Sequence, residues 1–300
     1  MKKVLVIGST VVDVIIYLDH LPKTSEDVHV LRQTMSLGGC AYNVSDMIRL
    51  FEVPYTLFSP VGHGTYGHFV REALKEKGVT TPLPTPDQDN GCCYCFVEAS
   101  GERTFICHHG AEYLFYPEWF SLLDPDEIDS VYICGLEIEE TTGGTVVEYL
   151  ENHPAYQIYF APGPRIHIIS GELIERIFDL SPILHLNETE ATTFTGASTV
   201  EQAAHVLYER TKNTVIVTLG EHGAYYDDGT HAAHIPGVKA NQVDTIGAGD
   251  AHMGAVISRL KQGASIEQAI ADANRICAAV VETDGALLTR ERFLELTKKA

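Results

Sequence analysis

Apolar runs of strand length recur along the chain: Val4 to Ile7, Tyr55 to Phe58, Val131 to Cys134, Ile158 to Phe160, Ile183 to Leu186 and Val215 to Leu219. Between several of them the apolar positions switch to a helical period. Phe69, Val70, Ala73 and Leu74 keep it and stop at Gly78. Ala203, Ala204, Leu207 and Tyr208 do the same, and Met253, Val256, Ile257 and Leu260 repeat it before Gly263. Strand alternating with helix predicts an α/β fold with a mainly parallel central sheet and helices on both faces. Ligands of such sheets bind beyond the carboxyl ends of the strands.

Two segments break the rhythm. Residues 14–36 hold strand-like pieces, Val14 to Leu18 and Val28 to Met35, joined by the turn-like Pro22-Lys23-Thr24-Ser25. Residues 91–107 read as a hairpin around Ser100-Gly101. Together they predict a small sheet projecting from one large domain that spans 1–300, serving as a lid or as a dimer edge. A lid sheet with one exposed apolar face favours the homodimer. No repeat, low-complexity tract or long linker interrupts the chain.

Composition narrows the partners. A length of 300 residues with 45% hydrophobic content suits one large α/β domain with a full core. The formal charge of −20, from 41 acidic against 21 basic residues, argues against nucleic acid and anionic membrane as partners. Nucleotide binding stays open, because backbone N–H groups and a metal can build a phosphate site. No apolar run approaches the ~18 residues of a membrane span. Met1 to Gly8 could begin a signal peptide, but Asp13 interrupts it, Asp19 and His20 follow, and no small-residue cleavage site appears. It reads as a first strand, and the chain is expected to be cytoplasmic. Seven cysteines, an odd number, fit reduced thiols. Cys92, Cys93 and Cys95 lack the spacing of a zinc knuckle, and among Tyr94, Phe96 and Val97 they read as small hydrophobes in a strand.

The candidate chemistry centres on Asp244-Thr245-Ile246-Gly247-Ala248-Gly249-Asp250, which an amphipathic helix follows directly. Glycines let backbone N–H groups approach an anion, and a helix N-terminus adds unpaired donors and partial positive charge. Asp250 at the mouth of such a hole suits a base that takes a proton as a hydroxyl attacks phosphorus. On local physics alone the segment is equally a Gly-rich turn with Asp250 as a helix cap. Leu37-Gly38-Gly39-Cys40-Ala41-Tyr42-Asn43 is a second Gly-rich loop opening a helix, and Asp13 follows the first strand. Asn187-Glu188-Thr189-Glu190 follows the strand Ile183 to Leu186; it offers oxygen ligands suited to Mg²⁺, or a capping box. Thr218-Leu219-Gly220-Glu221-His222-Gly223 closes another strand.

These segments, in this order, resemble the PfkB carbohydrate kinase family, the ribokinase-like kinases, over nearly the whole chain. The segment from Asp244 matches the family's Asp-Thr-x-Gly-Ala-Gly-Asp pattern completely. The resemblance implies an ATP-dependent phosphotransferase with Asp250 as general base and Gly247, Ala248 and Gly249 as the anion cradle. It implies an acceptor sugar held by Asp13, Gly38, Gly39 and Asn43, with Glu137 as a further acceptor contact. It places the nucleotide at Asn187, Thr218, Gly220, Gly223, Thr245 and Asn274. It implies Mg²⁺ at Glu190 and Asn187, and a monovalent cation such as K⁺ held by carbonyls near Asp244 and Thr283 to Ala286.

Departures touch the acceptor. Gly64 stands in Gly62-His63-Gly64-Thr65-Tyr66-Gly67 where the family often has Asp, and Cys40 follows the Gly-Gly pair where ribokinases proper have Lys. Arg165 could meet an acidic acceptor or pair with a surface carboxylate, and His108 and His109 could face the acceptor or end a solvated strand. Two alternatives to a sugar kinase remain: a nucleoside kinase of the same fold, and a sugar-binding sensor without turnover. A dinucleotide oxidoreductase is disfavoured, because Gly8-Ser9-Thr10-Val11-Val12-Asp13 lacks the second and third glycines of that fingerprint.

Overall fold

The computed structural model describes residues 1–283 and 285–297. Its strands are β1 Lys3–Ile7, β2 Val11–Tyr17, β3 Arg32–Gly38, β4 Tyr55–Phe58, β5 Cys92–Val97, β6 Arg103–His108, β7 Ile128–Cys134, β8 Gln157–Ala161, β9 Ile183–Asn187, β10 Val215–Thr218, β11 Gly223–Asp227 and β12 Ala232–Pro236. Eight of them form one sheet in the order β12-β11-β10-β9-β8-β7-β1-β4. Pairing is parallel from β4 across to β10, and β10, β11 and β12 add an antiparallel edge.

Strand alternation splits the core between the two faces of this sheet. Val4, Val6 and Ile216 pack with Tyr42, Met47, Ile48, Val256 and Ile257 on one side. Leu5, Ile7, Val215 and Val217 pack with Phe58, Ile133, Val146 and Ile177 on the other. A sheet covered on both faces explains why its strands read as continuous apolar runs.

The remaining strands form a second sheet in the order β3-β2-β5-β6. Val12, Val14 and Cys92 lie on its face toward the main core, and Tyr94 on the same face meets Tyr66 hydroxyl to hydroxyl at 2.9 Å. Asp13, Cys93, Cys95 and Arg103 alternate onto the opposite face. Two sequence boundaries need correction. The expected strand from Val28 begins only at Arg32, since Val30 and Leu31 are exposed and find nothing to pack on. Conversely, β2 starts at Val11 and β3 runs on to Gly38, so Asp13 and Gly38 both lie in the sheet. Among the described residues no helix is long and apolar enough to cross a membrane.

Candidate active site

The strand ends of the large sheet gather the candidate residues. The chain leaves β1 through Gly8, Ser9 and Thr10, enters β2, and returns along β3 to Gly38 and Gly39. Gly39 precedes the helix Cys40–Leu50 with φ 97°, and a Cβ there would stand 2.5 Å from the Ser9 carbonyl. Only glycine fits such a backbone at such an approach. A Cβ on Gly38 would stand 1.9 Å from Asp13 Oδ2, so the missing side chain is what gives the Asp13 carboxylate its place.

One turn into that helix, Asn43 Nδ2 donates to Asp250 Oδ2 at 2.9 Å. Asn43 is buried, and its Oδ1 has no partner. A buried amide oxygen left bare can take a donor from water or from a bound molecule. Asp250 lies in the first turn of the helix Ala248–Lys261, which Gly247 opens at φ 70°. Ala248 N–H already donates to the Thr245 carbonyl at 3.2 Å; the N–H groups that follow it in a first turn have no intrahelical carbonyl to meet. Burial pushes Asp250 up to about 6, against the hydrogen bonds from Asn43 and Cys40 that favour its charge. Asp13 is pushed up to about 7 by burial, then by Cys107 and Asp250. Two carboxyl groups poised near neutrality therefore lie close enough for the charge of Asp250 to raise Asp13.

A cleft of about 450 Å³ adjoins Asp250. Asn187, Thr218, Gly220, Gly223, Thr245 and Asn274 all line it, with Ala248 and Gly249 at one end. Val238, Cys277 and Val281 give it an apolar wall that the sequence did not announce.

Three candidate residues sit differently from the others. Glu137 is fully enclosed: Ser9 N–H donates to one oxygen at 2.7 Å and the Cys134 thiol to the other at 2.8 Å. Its carboxylate braces the Gly8-Ser9 turn. Asp244 accepts from Arg103 at 2.6 Å, from Ile246 N–H at 2.7 Å and from Gly285 N–H at 3.1 Å. That ion pair ties β6 to the Gly-rich segment. Of the expected carbonyl stretch beside it, Asp284 lies outside the described residues. Glu190 and Asn187 form a complete capping box, with Glu190 N–H on Asn187 Oδ1 at 2.8 Å and Asn187 N–H on Glu190 Oε2 at 2.9 Å. The carboxylate stays half-buried at the cleft's edge, and a carboxylate with an amide oxygen fits Mg²⁺ bound through water.

Arg165 takes the ion-pair alternative, with its guanidinium forked onto Glu139. His109 Nδ1 meets Glu140 Oε1 at 2.5 Å. His109, Glu139 and Glu140 are the one metal-capable cluster of His, Cys and acids among the described residues. Arg165 already fills the place of a cation there.

A buried relay that no motif announced backs this cleft. Asn274 gives its amide protons to the Ile235 and Pro236 carbonyls, at 3.1 Å each. Its Oδ1 must therefore accept, so His252 Nε2 carries the proton across a 3.2 Å contact. His252 Nδ1 then accepts from His185 Nε2 at 2.9 Å. Burial pushes His252 down to about 4, and His185 well below the ordinary imidazole range. Both rings stay neutral in the folded chain, while in the unfolded chain both titrate near 6.5. Their stabilisation is present in full above about pH 6.5 and is lost as pH falls toward 4. For His252 this amounts to about 3 kcal/mol. Asp13 and Asp250, held up by burial, gain stability over the same range, so the test is a difference: between pH 7 and pH 5 the urea unfolding midpoint of the parent should change less favourably than that of His185→Leu.

The whole chain matches known proteins. The family model described as pfkB family carbohydrate kinase matches residues 1–291. The uncharacterized sugar kinase YegV of Escherichia coli (strain K12) is 29% identical over 299 residues, covering 98% of this chain and 93% of that one. The ribokinase of Bacillus subtilis (strain 168) is 29% identical over 302 residues, covering 99% of each. The crystal structure of ribokinase from Thermotoga maritima superposes with a TM-score of 0.86 at 25% identity, over 99% of this chain and 100% of that one. With a family match over residues 1–291 and a shared fold of one mainly parallel sheet plus a small second one, this chain belongs to the pfkB family of carbohydrate kinases.

Proposed function

We propose that this kinase transfers the γ-phosphoryl group of ATP to a primary hydroxyl of a small free sugar, with Asp250 as general base. The observation that carries this reading is the 2.9 Å hydrogen bond from Asn43 to Asp250. It joins the two Gly-rich segments, and it stands between Asp13 on one side and the glycine-lined cleft on the other. The acceptor hydroxyl would give its proton to Asp250 as its oxygen bonds to phosphorus. The bond from phosphorus to the bridging oxygen breaks, and ADP leaves. Backbone donors of Gly247 to Gly249 would meet the charge spread over the transferring group. Asp13 and the bare Asn43 Oδ1 would orient the sugar through its hydroxyls. The small sheet would act as a lid over the acceptor and keep water from the phosphorus. Glu190 and Asn187 would hold, through water, a magnesium ion arriving with ATP, which offsets charge on the phosphates.

ADP release should be screened across pentoses, hexoses, sugar phosphates and nucleosides. We expect a free sugar to give the fastest release, in keeping with relatives named as sugar kinases and ribokinases. Turnover of nucleosides alone would move the acceptor to that class. Binding of sugars with no ADP release from any acceptor would make the protein a sensor.

A further inference from the structure

We propose that Cys93 and Cys107 form a site of reversible oxidative modification, closing to a disulfide that weakens acceptor binding at Asp13. The acceptor half of this proposal rests on the functional reading above; the chemistry of the pair does not.

The hairpin register brings the two thiols together. Cys93 in β5 stands directly opposite Cys107 in β6. At the turn, Glu98 N–H donates to the Glu102 carbonyl at 3.0 Å, which makes that a hydrogen-bonded pair. Such pairs alternate with non-hydrogen-bonded ones along an antiparallel ladder. Counting back from the turn, Cys93 and Cys107 fall on a non-hydrogen-bonded position. Pairs of that kind hold their Cα atoms about 4.5 Å apart with side chains close. That separation lies inside the span disulfides bridge, roughly 4.4–6.8 Å. The sulfurs already lie 3.5 Å apart. Of the chain's seven cysteines, no other two stand opposite one another in a strand ladder among the described residues.

The two thiols differ in the way such chemistry needs. Cys107 is exposed, while Cys93 is half-buried behind it. Hydrogen bonds from Cys93 and His109, with the charges of His109 and Arg165, pull Cys107 down to about 5. The thiolate is the nucleophile, and it is the more accessible of the pair. A peroxide is the fitting oxidant. The Cys107 thiolate attacks one peroxide oxygen, the O–O bond breaks, and Cys107 becomes a sulfenic acid while hydroxide leaves. The Cys93 sulfur then attacks the sulfenic sulfur, forming S–S and releasing the second oxygen as water. Two thiols lose two electrons, and one peroxide becomes two waters. An external dithiol reverses the step by exchange, and an exposed disulfide is the kind that reduces readily.

The pair sits where closing it would be felt. Cys93 is the register neighbour of Asp13 on the parallel strand β2, so the two share a face of the small sheet. The Cys107 thiolate is one of the charges that raise Asp13. Closure draws the sulfurs from 3.5 Å to about 2.05 Å and removes that charge. A shift of about 1 Å beside an acceptor-holding carboxylate is enough to cost 10- to 100-fold.

The test begins with the full chain, treated with hydrogen peroxide, alkylated and digested with trypsin. Cleavage after Arg103 separates the two cysteines, so a disulfide between them links two peptides whose fragmentation identifies the bonded residues. We expect Cys93 joined to Cys107, kcat/KM for the acceptor lowered about tenfold or more, KM for ATP within twofold, and full recovery with dithiothreitol. Cys107→Ser should lose both the link and the peroxide response. No link between these two residues overturns the proposal, as does an equal peroxide loss in Cys107→Ser or a link that leaves acceptor kcat/KM unchanged. If the reduced protein phosphorylates no sugar, the functional reading fails and takes the acceptor half with it, while the peptide map judges the pair on its own.

Discussion

Asp250→Asn should lower kcat by about 10²- to 10⁴-fold, the expected cost of losing the proposed general base. The substitution is isosteric, and an amide oxygen can still accept from Asn43 Nδ2, so the contact at 2.9 Å survives. Thermal stability and ATP affinity should therefore stay near those of the parent. The pH profile gives a second readout. A base must be ionised to act, and burial holds Asp250 up at about 6 and Asp13 at about 7. Acceptor kcat/KM should thus fall as pH drops from 7 through 6, with a midpoint that belongs to the two carboxyl groups together. The variant should lose the part of that limb owed to Asp250. Turnover near the wild-type rate would sink the assignment.

Gly38→Ala should lower kcat/KM for the acceptor by about 100-fold through displacement of Asp13. Its Cβ would stand 1.9 Å from Asp13 Oδ2 and 2.4 Å from its Cγ, so the carboxylate must move. Gly38 is not among the residues with positive φ, so alanine suits the backbone and the chain should still fold. ATP affinity should hold within about twofold, because the cleft lining does not include residue 38. Gly39→Ala makes the contrast. There φ is 97° and the obstacle is the Ser9 backbone carbonyl, so that variant should lose stability rather than acceptor affinity alone. An unchanged acceptor KM in Gly38→Ala would remove Asp13 from the acceptor site.

What could be read from the chain follows from what is local in it. The buried strands announced themselves as apolar runs, and the glycine segments as close backbone approaches beside helix starts. Their order supplied the family. What the sequence hid depends on partners far apart in the chain. Arg103 reaches Asp244 across 141 residues, and His185 meets His252 across 67. No periodicity predicts either contact. Glu137 was expected from the family resemblance alone; its bonds to Ser9 N–H, 128 residues away, and to the Cys134 thiol are contacts no local pattern announces. The Cys93–Cys107 pairing stood closer to view. A turn of Ser100-Gly101 alone would set 93 against 108; with Ala99 in the loop and Glu98 bonded to Glu102, counting outward sets 93 against 107. Treating the cysteines as small hydrophobes concealed that count, and it holds better for the buried Cys92 and Cys95 than for Cys93.

The hydrogen bond between Asn43 and Asp250 spans 207 residues. No fragment of the chain ending before residue 250 can hold both groups, however well its early strands pair. During synthesis the Gly38-Gly39 loop, β2 and most of the large sheet can be in place while the centre is still missing one of its two walls. With Asp250 as the proposed base, phosphoryl transfer would report a chain extended past that residue: its first appearance in a translation reaction would time the docking of the helix Ala248–Lys261 against the helix Cys40–Leu50.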